Sequence, residues 1–332
     1  MVIKASFALK RLIQGILFFT LLAFFLVSAW DINSKSLADA AEPEGPGLGL
    51  NQPEEGPAVV KVGVYVLNIG KLDTADGGFT IDFYLDLYSD GPIEPGKFEF
   101  ANGRATSVDK SVDDPAEEFY RIQASLTDNL ELSRYPFDRH SLTIELEDKE
   151  QTVHSQVYEP SLEYSGIDPE VNIPGWIIDG WKAETVDHYY EPYGTTFSKY
   201  VFSIQIHRTV TSAVLKTFFP ALIIVLVGLL SLVLRPYKIV ERLTLNAGAL
   251  TGAVLLHLNL TSSLPPLGYL TFADRFMIVN YLALTFALIS TLVALADVDR
   301  KQMKEAERVH TIALVIVPSV WALLQGINFL LL

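Results

Sequence analysis

Hydrophobic and polar residues alternate with a period of two along several stretches of the first two thirds of the chain. The alternation is clear over residues 60–67, 79–86, 142–147 and 200–207, and turn-forming segments such as ADGG and ANGR lie between such runs. This pattern is typical of the strands of an antiparallel β-sandwich. We therefore predict one all-β domain over residues 58–208, because about 150 residues suit a single sandwich core.

The last third of the chain contains four long apolar stretches instead. They cover about residues 214–234, 243–264, 272–296 and 309–332. Each of them, as a helix, is long enough to cross a hydrocarbon core of about 30 Å. We therefore predict a transmembrane domain of four helices over residues 209–332.

The charges between the apolar stretches predict how the helices are oriented. The first connection contains three basic residues and the third contains four, whereas the second, SSLPPLG, has no charge. Because basic residues accumulate in cytoplasmic loops, the first and third connections are expected in the cytoplasm. The β domain is then extracellular or periplasmic, and the protein is a multi-pass protein of the cell (inner) membrane.

The first forty residues have the features of an export signal. A short basic segment precedes an uncharged apolar run over residues 12–27, and Ala-Asp-Ala at 38–40 offers small residues for cleavage. We predict a cleaved signal peptide over residues 1–40. A retained membrane anchor is the alternative, since the apolar run is near spanning length. Residues 41–57 are rich in Pro, Gly and Glu, which predicts a disordered tether.

Composition and charge exclude several classes of function. The chain has 332 residues, half of them hydrophobic, a mean hydropathy of +0.29 and a net charge of −14. Residues 41–207 contain 31 acidic and 11 basic residues, so this segment carries −20. Such an acidic domain repels phosphate, which argues against nucleic-acid binding. The chain has no cysteine, which excludes disulfides, thiol catalysis and cysteine-bound metals.

The second apolar stretch carries polar side chains that a helix facing only lipid does not need. At helical spacing one face contains Thr244, Gly248, Thr251, Leu255, Leu258 and Ser262, with Glu241 at its cytoplasmic end. Polar groups at membrane depth usually face a bundle interior or a water-filled cavity. We predict that this face lines a pore formed by several copies of the chain. Ordinary hydrogen bonding and small-residue packing between helices is the alternative.

Short motifs along the chain point to one family. YPFD at 135–138 lies in a turn between strands, NIPGW occupies 172–176, and ERL at 241–243 and LPPLGY at 264–269 bracket the second helix. Together these motifs resemble those of the pentameric ligand-gated ion channels, the Cys-loop receptor superfamily, over about residues 58–332. Asp128 and Leu142 stand at the flanking positions where animal members carry the bridging cysteines, which bacterial members also lack.

The resemblance implies a homopentamer, in which each chain has four identical partner subunits within the lipid bilayer. Each subunit would contribute an extracellular immunoglobulin-like β-sandwich of about ten strands and a four-helix transmembrane bundle, with the second helices around a central pore. A buried Asp138–Arg208 pair would join the sandwich to the first helix, and Asp73 would press on the loop from Leu264 to Tyr269. The implied gating and coupling residues are Asp73, Pro136, Phe137, Asp138, Arg208, Pro220, Pro265, Pro266 and Tyr269.

The acidic end of the second helix predicts ion selectivity. Five copies of Glu241 would ring the cytoplasmic mouth, and rings of acidic residues favour cations. The acidic outer domain would also concentrate cations at the entrance. We predict that monovalent cations permeate. The neighbouring Arg242 is expected to turn away from the pore, as the resemblance implies.

The closed gate is expected towards the outer half of the second helix. Leu255 and Leu258 are the first bulky apolar positions on the predicted pore face, because Thr251 stands at mid-helix where many family members have a bulky aliphatic residue. A hydrophobic constriction closes a pore by dewetting. A shift of one residue in register would bring Leu250 or Val254 into the pore instead.

Aromatic and acidic residues of the β domain are candidates for the ligand site. The aromatic segments KFEFANG and DHYYEPYGTTF suit a small amine held over ring faces. The acidic stretch LEDKEQ stands where family members have a tryptophan, so the aromatic box is incomplete. The candidates are Phe98, Phe100, Glu147, Asp148, Glu150, Trp176, Tyr189, Tyr190 and Tyr193.

The carboxylates of the β domain are compatible with two other stimuli, namely protons and Ca²⁺. Crowded carboxylates could sense protons, and they could bind Ca²⁺, which prefers several oxygen ligands. A possible Ca²⁺ site, as a modulator, lies in DKSVDDPAEE at Asp109, Asp113, Asp114 and Glu117, although such a stretch is commonly a solvated loop. His257 is off the predicted pore face and is expected to be hydrogen-bonded within the bundle, with proton sensing as the alternative.

Other classes of function find little support in the sequence. We find no nucleophile elbow, phosphate-binding loop or zinc-binding motif, so neither an enzyme nor a resident cofactor is expected. A transporter would usually show inverted repeats and interrupted helices. A membrane-anchored receptor without a pore explains the sandwich and the spans, but it leaves the polar face of the second helix unexplained.

Overall fold

The computed structural model describes residues 56–90, 97–262 and 264–332. The predicted signal peptide (1–40) and nearly all of the predicted tether (41–57) lie outside these residues. The described chain divides into two compact units, which we call the sandwich unit and the helical unit. The sandwich unit comprises Glu54–Phe219 with Asn259–Ala273, and the helical unit comprises Pro220–Leu258 with Asp274–Leu332.

Ten strands of the described chain form the sandwich unit. They are β1 (Ala58–Ile69), β2 (Gly78–Tyr88), β3 (Phe98–Phe100), β4 (Gly103–Asp114), β5 (Glu117–Thr127), β6 (Arg139–Asp148), β7 (Gln156–Pro160), β8 (Gly166–Ile167), β9 (Trp176–Tyr190) and β10 (Thr195–Arg208). One sheet has the order β4-β5-β2-β1-β7, with β8 also paired to β1, and the other has the order β3-β6-β10-β9. Strand β1 pairs with β7 and β8 in parallel, and the other pairs are antiparallel.

The core of the sandwich comes from the alternation seen in the sequence. Along β1 the valines at positions 60, 62, 64 and 66 are buried, and along β2 the same is true of Phe79, Ile81, Phe83 and Leu85. Leu142 of β6 and Phe202 of β10 belong to the same hydrophobic cluster, so it is built from both sheets. The predicted β-sandwich is therefore confirmed.

The rest of the described chain is helical. After β10 come α1 (Val210–Ala213), a π-helical segment (Val214–Phe218), α2 (Phe219–Leu230), α3 (Ile239–Thr261), α4 (Phe272–Asp299) and α5 (Met303–Leu330). By length and composition α3, α4 and α5 can each cross a membrane, and Val214–Leu230 is a shorter apolar segment. A sandwich domain followed by three long apolar helices and a shorter one agrees with the predicted fold class.

Several helix bounds differ from those expected from hydropathy, and α5, for example, begins at Met303 instead of position 309. Helix α2 ends at Leu230, earlier than position 234, because tighter turns follow it and Pro236 lies just beyond. Helix α3 begins at Ile239, before the apolar run itself, so its first turn contains Glu241. Hydropathy therefore marks the apolar part of a helix and misses its polar ends.

Small residues allow close packing within the helical unit. A Cβ atom at Gly228 of α2 would lie 2.1 Å from the Leu284 side chain of α4, so the glycine allows the two helices to approach closely. Polar contacts also join α4 to α5, because the Asn280 side-chain oxygen accepts hydrogen bonds from Trp321 and Gln325, both at 2.9 Å. Such close approach and buried polar contacts are typical of helices that pack within membranes.

Candidate coupling, ligand and pore sites

The predicted pair of Asp138 and Arg208 forms in the sandwich unit. The Arg208 Nε donates to both carboxylate oxygens of Asp138, at 2.8 Å and 3.0 Å. The Asp138 side chain is fully buried, and one of its oxygens also lies 2.7 Å from Nε2 of the buried His140. This carboxylate therefore holds the last residue of β10 and a histidine of β6 at the same point.

Two aromatic rings enclose the arginine of this pair. The guanidinium carbon of Arg208 lies 4.3 Å from the ring centroid of Trp176 and 5.0 Å from that of Tyr135. Trp176 is buried and also contacts the ring of His140 at a centroid distance of 5.3 Å. Trp176, predicted as a ligand contact, thus packs its ring on Arg208 of the pair, and its contact with a ligand stays a prediction.

The charge state of Asp138 follows from its neighbours. Burial by itself raises the pKa of this carboxyl, but the hydrogen bond from His140 and the charge of Arg208 outweigh burial and leave the pKa below its usual value. The carboxylate is therefore ionised throughout the mildly acidic range. An ionised carboxylate and an arginine form a charge-assisted pair, which suits a rigid joint.

The segment from Asn259 to Ala273, which contains the connection between α3 and α4, lies against the turn between β5 and β6. The backbone N–H groups of Phe272 and Ala273 donate to the carbonyl oxygens of Ser133 (2.8 Å) and Tyr135 (3.1 Å). In the other direction, the Leu132 N–H donates to the Tyr269 hydroxyl at 3.0 Å. Tyr269, a predicted coupling residue, is thus in direct contact with the turn that carries YPFD.

Three phenylalanines connect this turn to the first helical segment. The rings of Phe137 and Phe218 stack at 5.4 Å, and Phe272 contacts them edge-on at 5.6 Å and 5.7 Å. Phe218 ends the π-helical segment, and Phe137 follows Pro136, whose peptide bond is cis. The sequence motif indicated Phe137, whereas its two partners lie far away in the chain and were missed.

The remaining predicted coupling residues have less defined contacts. The Asp73 carboxylate accepts the Ala75 N–H within its own turn, and no described hydrogen bond joins it to residues 264–269. Pro265 is half-buried and Pro266 is exposed in that loop. Pro220 is the second residue of α2 and directly follows the π-helical segment. The coupling roles of these residues stay predictions.

A hydrogen-bonded clamp closes the YPFD-containing turn at its base. The Asp128 carboxylate accepts hydrogen bonds from the Thr143 hydroxyl (2.6 Å) and the Thr143 N–H (2.7 Å). The Asn102 side chain donates to the Thr143 carbonyl at 2.8 Å, and the Asp128 N–H donates to the Gly77 carbonyl at 3.1 Å. Asp128 stands where the resemblance places a cysteine of animal members, so this clamp joins the strands at that point without a disulfide.

A pocket of about 260 Å³ lies beside the β9–β10 hairpin. Carboxylates and aromatic rings share its wall, which is formed by Glu99, Glu147, Asp148, Lys149, Tyr190, Tyr193, Thr195 and Phe197. Glu147 is buried, and its oxygens lie 2.5 Å from His188 Nδ1 and 2.8 Å from the Tyr190 hydroxyl, which donates to it. The pocket has the size and chemistry for a small cation.

Four of the predicted ligand contacts line this pocket: Glu147, Asp148, Tyr190 and Tyr193. Phe98 and Phe100 do not, because both rings are buried in the sandwich core, and Glu99 between them faces the pocket. The pocket therefore adds no support for these two phenylalanines as ligand contacts, which stay predictions. Tyr189 is exposed outside the pocket wall, and Glu150 pairs with Lys97 at 2.7 Å.

The proposed Ca²⁺ ligands lie on the β4–β5 hairpin. Asp114 is opposite Glu117, whereas Asp109 is opposite Arg121. Among the described residues no three histidine or acidic side chains form a group that could hold a metal ion. The side chain of Asp113 is outside those described. The structure thus adds no support for a Ca²⁺ site here.

One face of α3 is exposed along its whole length. It carries every predicted pore residue, namely Glu241, Thr244, Gly248, Thr251, Leu255, Leu258 and, just beyond the helix, Ser262. A shift of one residue in register would place Leu250 or Val254 in the pore. Val254 is also exposed, whereas Leu250 is half-buried. Exposure alone does not choose between the two registers, and the pore-lining residues stay predictions.

The opposite face of α3 packs within the helical unit. Arg242 is fully buried, so it points away from the exposed face, as expected. His257 is hydrogen-bonded within the bundle, as predicted, because its ring nitrogens lie 2.8 Å from the Asp274 carboxylate and 3.1 Å from the Tyr281 hydroxyl. Small residues such as Ala249 and Ala253 fill the rest of this face.

The fold and these sites define a membrane protein in which a β-sandwich domain precedes apolar helices. A proton-gated ion channel of Gloeobacter violaceus is 23% identical to this chain over 263 residues, which cover 71% of the chain and 73% of that protein. No protein-family model matches the chain. The similarity supports the resemblance to the pentameric ligand-gated ion channel superfamily that the motifs indicated, and with it a ligand-gated ion channel.

Proposed function

We propose that the chain forms a homopentameric, cation-selective channel in the cell membrane, with the sandwich unit outside the cell. The observation that carries this proposal is the exposed face of α3. All seven predicted pore positions lie on it, although a helix that only packed on its neighbours would bury its polar groups. In a ring of five chains, this face lines the pore.

Cation selectivity rests on the charges at one end of α3. The Glu241 carboxylate is exposed and lies 3.1 Å from the Lys238 amine of the preceding connection. An exposed ion pair of this kind is weak, so Glu241 remains available to passing cations. Arg242 is buried behind it and adds no positive ring to the pore lining.

Protons are the stimulus that we favour. The related Gloeobacter channel is proton-gated, and the outer domain of this chain is rich in carboxylates. Three histidine–carboxylate contacts, at His140, His188 and His207, lie among the described residues of the sandwich unit. A small amine is the second candidate, because the pocket beside the β9–β10 hairpin combines buried Glu147 with three aromatic rings.

The proposal is tested with the purified full chain in planar lipid bilayers under a KCl gradient. Acidification of the sandwich side from about pH 8 to pH 4 is expected to open a current that reverses near the K⁺ equilibrium potential. Glu241→Gln should move the reversal potential towards zero, whereas the control Glu305→Gln, an acidic residue of α5, should not.

Two results would contradict the proposal. A current that reverses at the Cl⁻ potential would refute cation selectivity. Assembled protein that stays silent to protons and to a panel of primary amines would favour a receptor without a pore. Mass measurement of the purified assembly should give five subunits, and any other number would refute the pentamer.

A further inference from the structure

His140 shares the coupling carboxylate with Arg208. Its Nε2 lies 2.7 Å from Oδ2 of Asp138, the same oxygen that accepts from Arg208 Nε at 3.0 Å. The His140 and Asp138 side chains are 2% and 0% exposed, so water does not screen their interaction. A change of charge on the imidazole therefore acts directly on the pair that joins the YPFD-containing turn to the end of β10.

Side chains from three elements surround the imidazole of His140. Asp138 from the preceding turn and Arg208 from β10 are the charged groups that meet it, and the ring of Trp176 from β9 covers it. The phenol of Tyr135 packs on the other side of Arg208. Arginine stays protonated and Asp138 stays ionised in mild acid, whereas histidine ordinarily changes charge between pH 5 and 8.

Arg208 is held in a way that a second cation can weaken. Its contact with Asp138 runs through Nε alone, and its buried Nη2 has no hydrogen-bond partner among the described residues. When the imidazole is neutral, one carboxylate balances one guanidinium. When it is protonated, two cations share that carboxylate and repel each other at short range.

We propose that His140 is a proton-binding residue that gates the channel by loosening the Asp138–Arg208 joint. This inference rests on the proposed function, and it names the site at which the stimulus acts. Protonation draws Asp138 Oδ2 towards the imidazolium and weakens its contact with Arg208. Because Val210 begins α1 two residues after Arg208, the loosened arginine releases the segment that leads into the first apolar helix.

The test compares pH–activation curves of the full chain with those of two glutamine variants. His140→Gln keeps a hydrogen-bonding side chain that cannot titrate, and we expect the half-activation pH to become more acidic by at least about half a unit. Unitary conductance and reversal potential should not change. The control is His207→Gln, because His207 contacts Asp179 on the same sheet but lies more exposed.

Tryptophan fluorescence can report the protonation of His140 without a measurement of channel current. A protonated imidazole quenches a neighbouring indole, and Trp176 lies 5.3 Å from the His140 ring. Acid titration of the purified channel should show a fall in tryptophan fluorescence that both His140→Gln and Trp176→Phe remove. This readout remains informative if His140→Gln conducts poorly.

The outcomes separate this inference from the proposed function. A wild-type channel without any cation current would contradict the proposed function itself. A proton-activated wild type whose half-activation pH is the same in His140→Gln would refute the role of His140 alone. A fluorescence change that persists in His140→Gln would also refute it, because the titrating group would then lie elsewhere.

Discussion

The clamp formed by Asp128 and Thr143 can be tested by two substitutions that differ in what they remove. Asp128→Ala removes both acceptors and leaves the Thr143 hydroxyl and N–H without them. Hydrogen bonds to a charged acceptor contribute about 1.5–3 kcal/mol each when buried. Both residues are half-buried, so we discount this to about 2 kcal/mol for the two bonds together. Asp128→Asn keeps an acceptor for the Thr143 N–H and should cost much less.

The pH dependence distinguishes the clamp from simple packing. The pKa of Asp128 is raised by burial, although the two hydrogen bonds from Thr143 oppose this. The folded state therefore binds this proton more tightly than the unfolded state, and the contribution of Asp128 to stability falls as pH rises between the two pKa values. Asp128→Asn removes that slope, so it should differ least from wild type in acid.

The assay is the melting temperature of the purified full chain, followed by loss of the assembled peak on size exclusion. A decrease of about 2 kcal/mol in the free energy of unfolding lowers the melting temperature of a domain of about 150 residues by roughly 4–8 °C. We expect this for Asp128→Ala near neutral pH and a smaller change for Asp128→Asn. Equal melting temperatures of wild type and Asp128→Ala would refute the reasoning. A melting temperature that falls as far in Asp128→Asn as in Asp128→Ala would also refute it.

Three further predictions follow from the other sites. Arg208→Lys loses the planar contact with Trp176 and should shift the gating equilibrium roughly tenfold, about 1.4 kcal/mol, in voltage clamp with surface expression unchanged; normal gating would contradict the assigned joint. Leu255→Thr makes the proposed gate polar and should produce a leak current at neutral pH, and a tight channel would place the gate elsewhere. Glu147→Gln should lower the affinity for a tetramethylammonium probe, measured by calorimetry, about tenfold. An unchanged affinity would contradict the proposal that the pocket binds a cation.

The strands and the exposed face of α3 could be predicted because each depends on a local period. Period-two alternation located the buried valines of β1, and helical spacing placed Thr244 and Leu255 on the face of α3 that the structure exposes. In both cases the residues that decide the pattern lie within a few positions of each other. The local periodicity of the sequence is therefore enough to predict which residues share a face of a strand or helix.

The ligand pocket was harder to predict, because its residues meet across strands. Alternation put Phe98 and Phe100 on one face but did not say which face, and aromatic rings suit a core as well as an amine site. Glu147 and His188 meet only through the pairing of β6, β10 and β9. That register cannot be obtained from composition, so His188 was not recognised as a partner.

The coupling site shows the same limit. The YPFD motif indicated Asp138, and the resemblance indicated Arg208, but neither pointed to the packing of Trp176 on the pair. His140 lies only two residues from Asp138, yet in an extended strand its role depends on which sheet face is buried. The contact with Asp138 is thus visible only once the fold is known.

The central claim, a pore lined by α3, is tested most directly by cysteine substitution, since the chain has no cysteine of its own. A charged methanethiosulfonate reagent is applied to open channels that carry Thr251→Cys on the exposed face or Ala253→Cys on the buried face. We predict rapid, irreversible block of current in Thr251→Cys and no effect in Ala253→Cys. Current that is insensitive in Thr251→Cys and blocked in Ala253→Cys would contradict the assignment of the pore face.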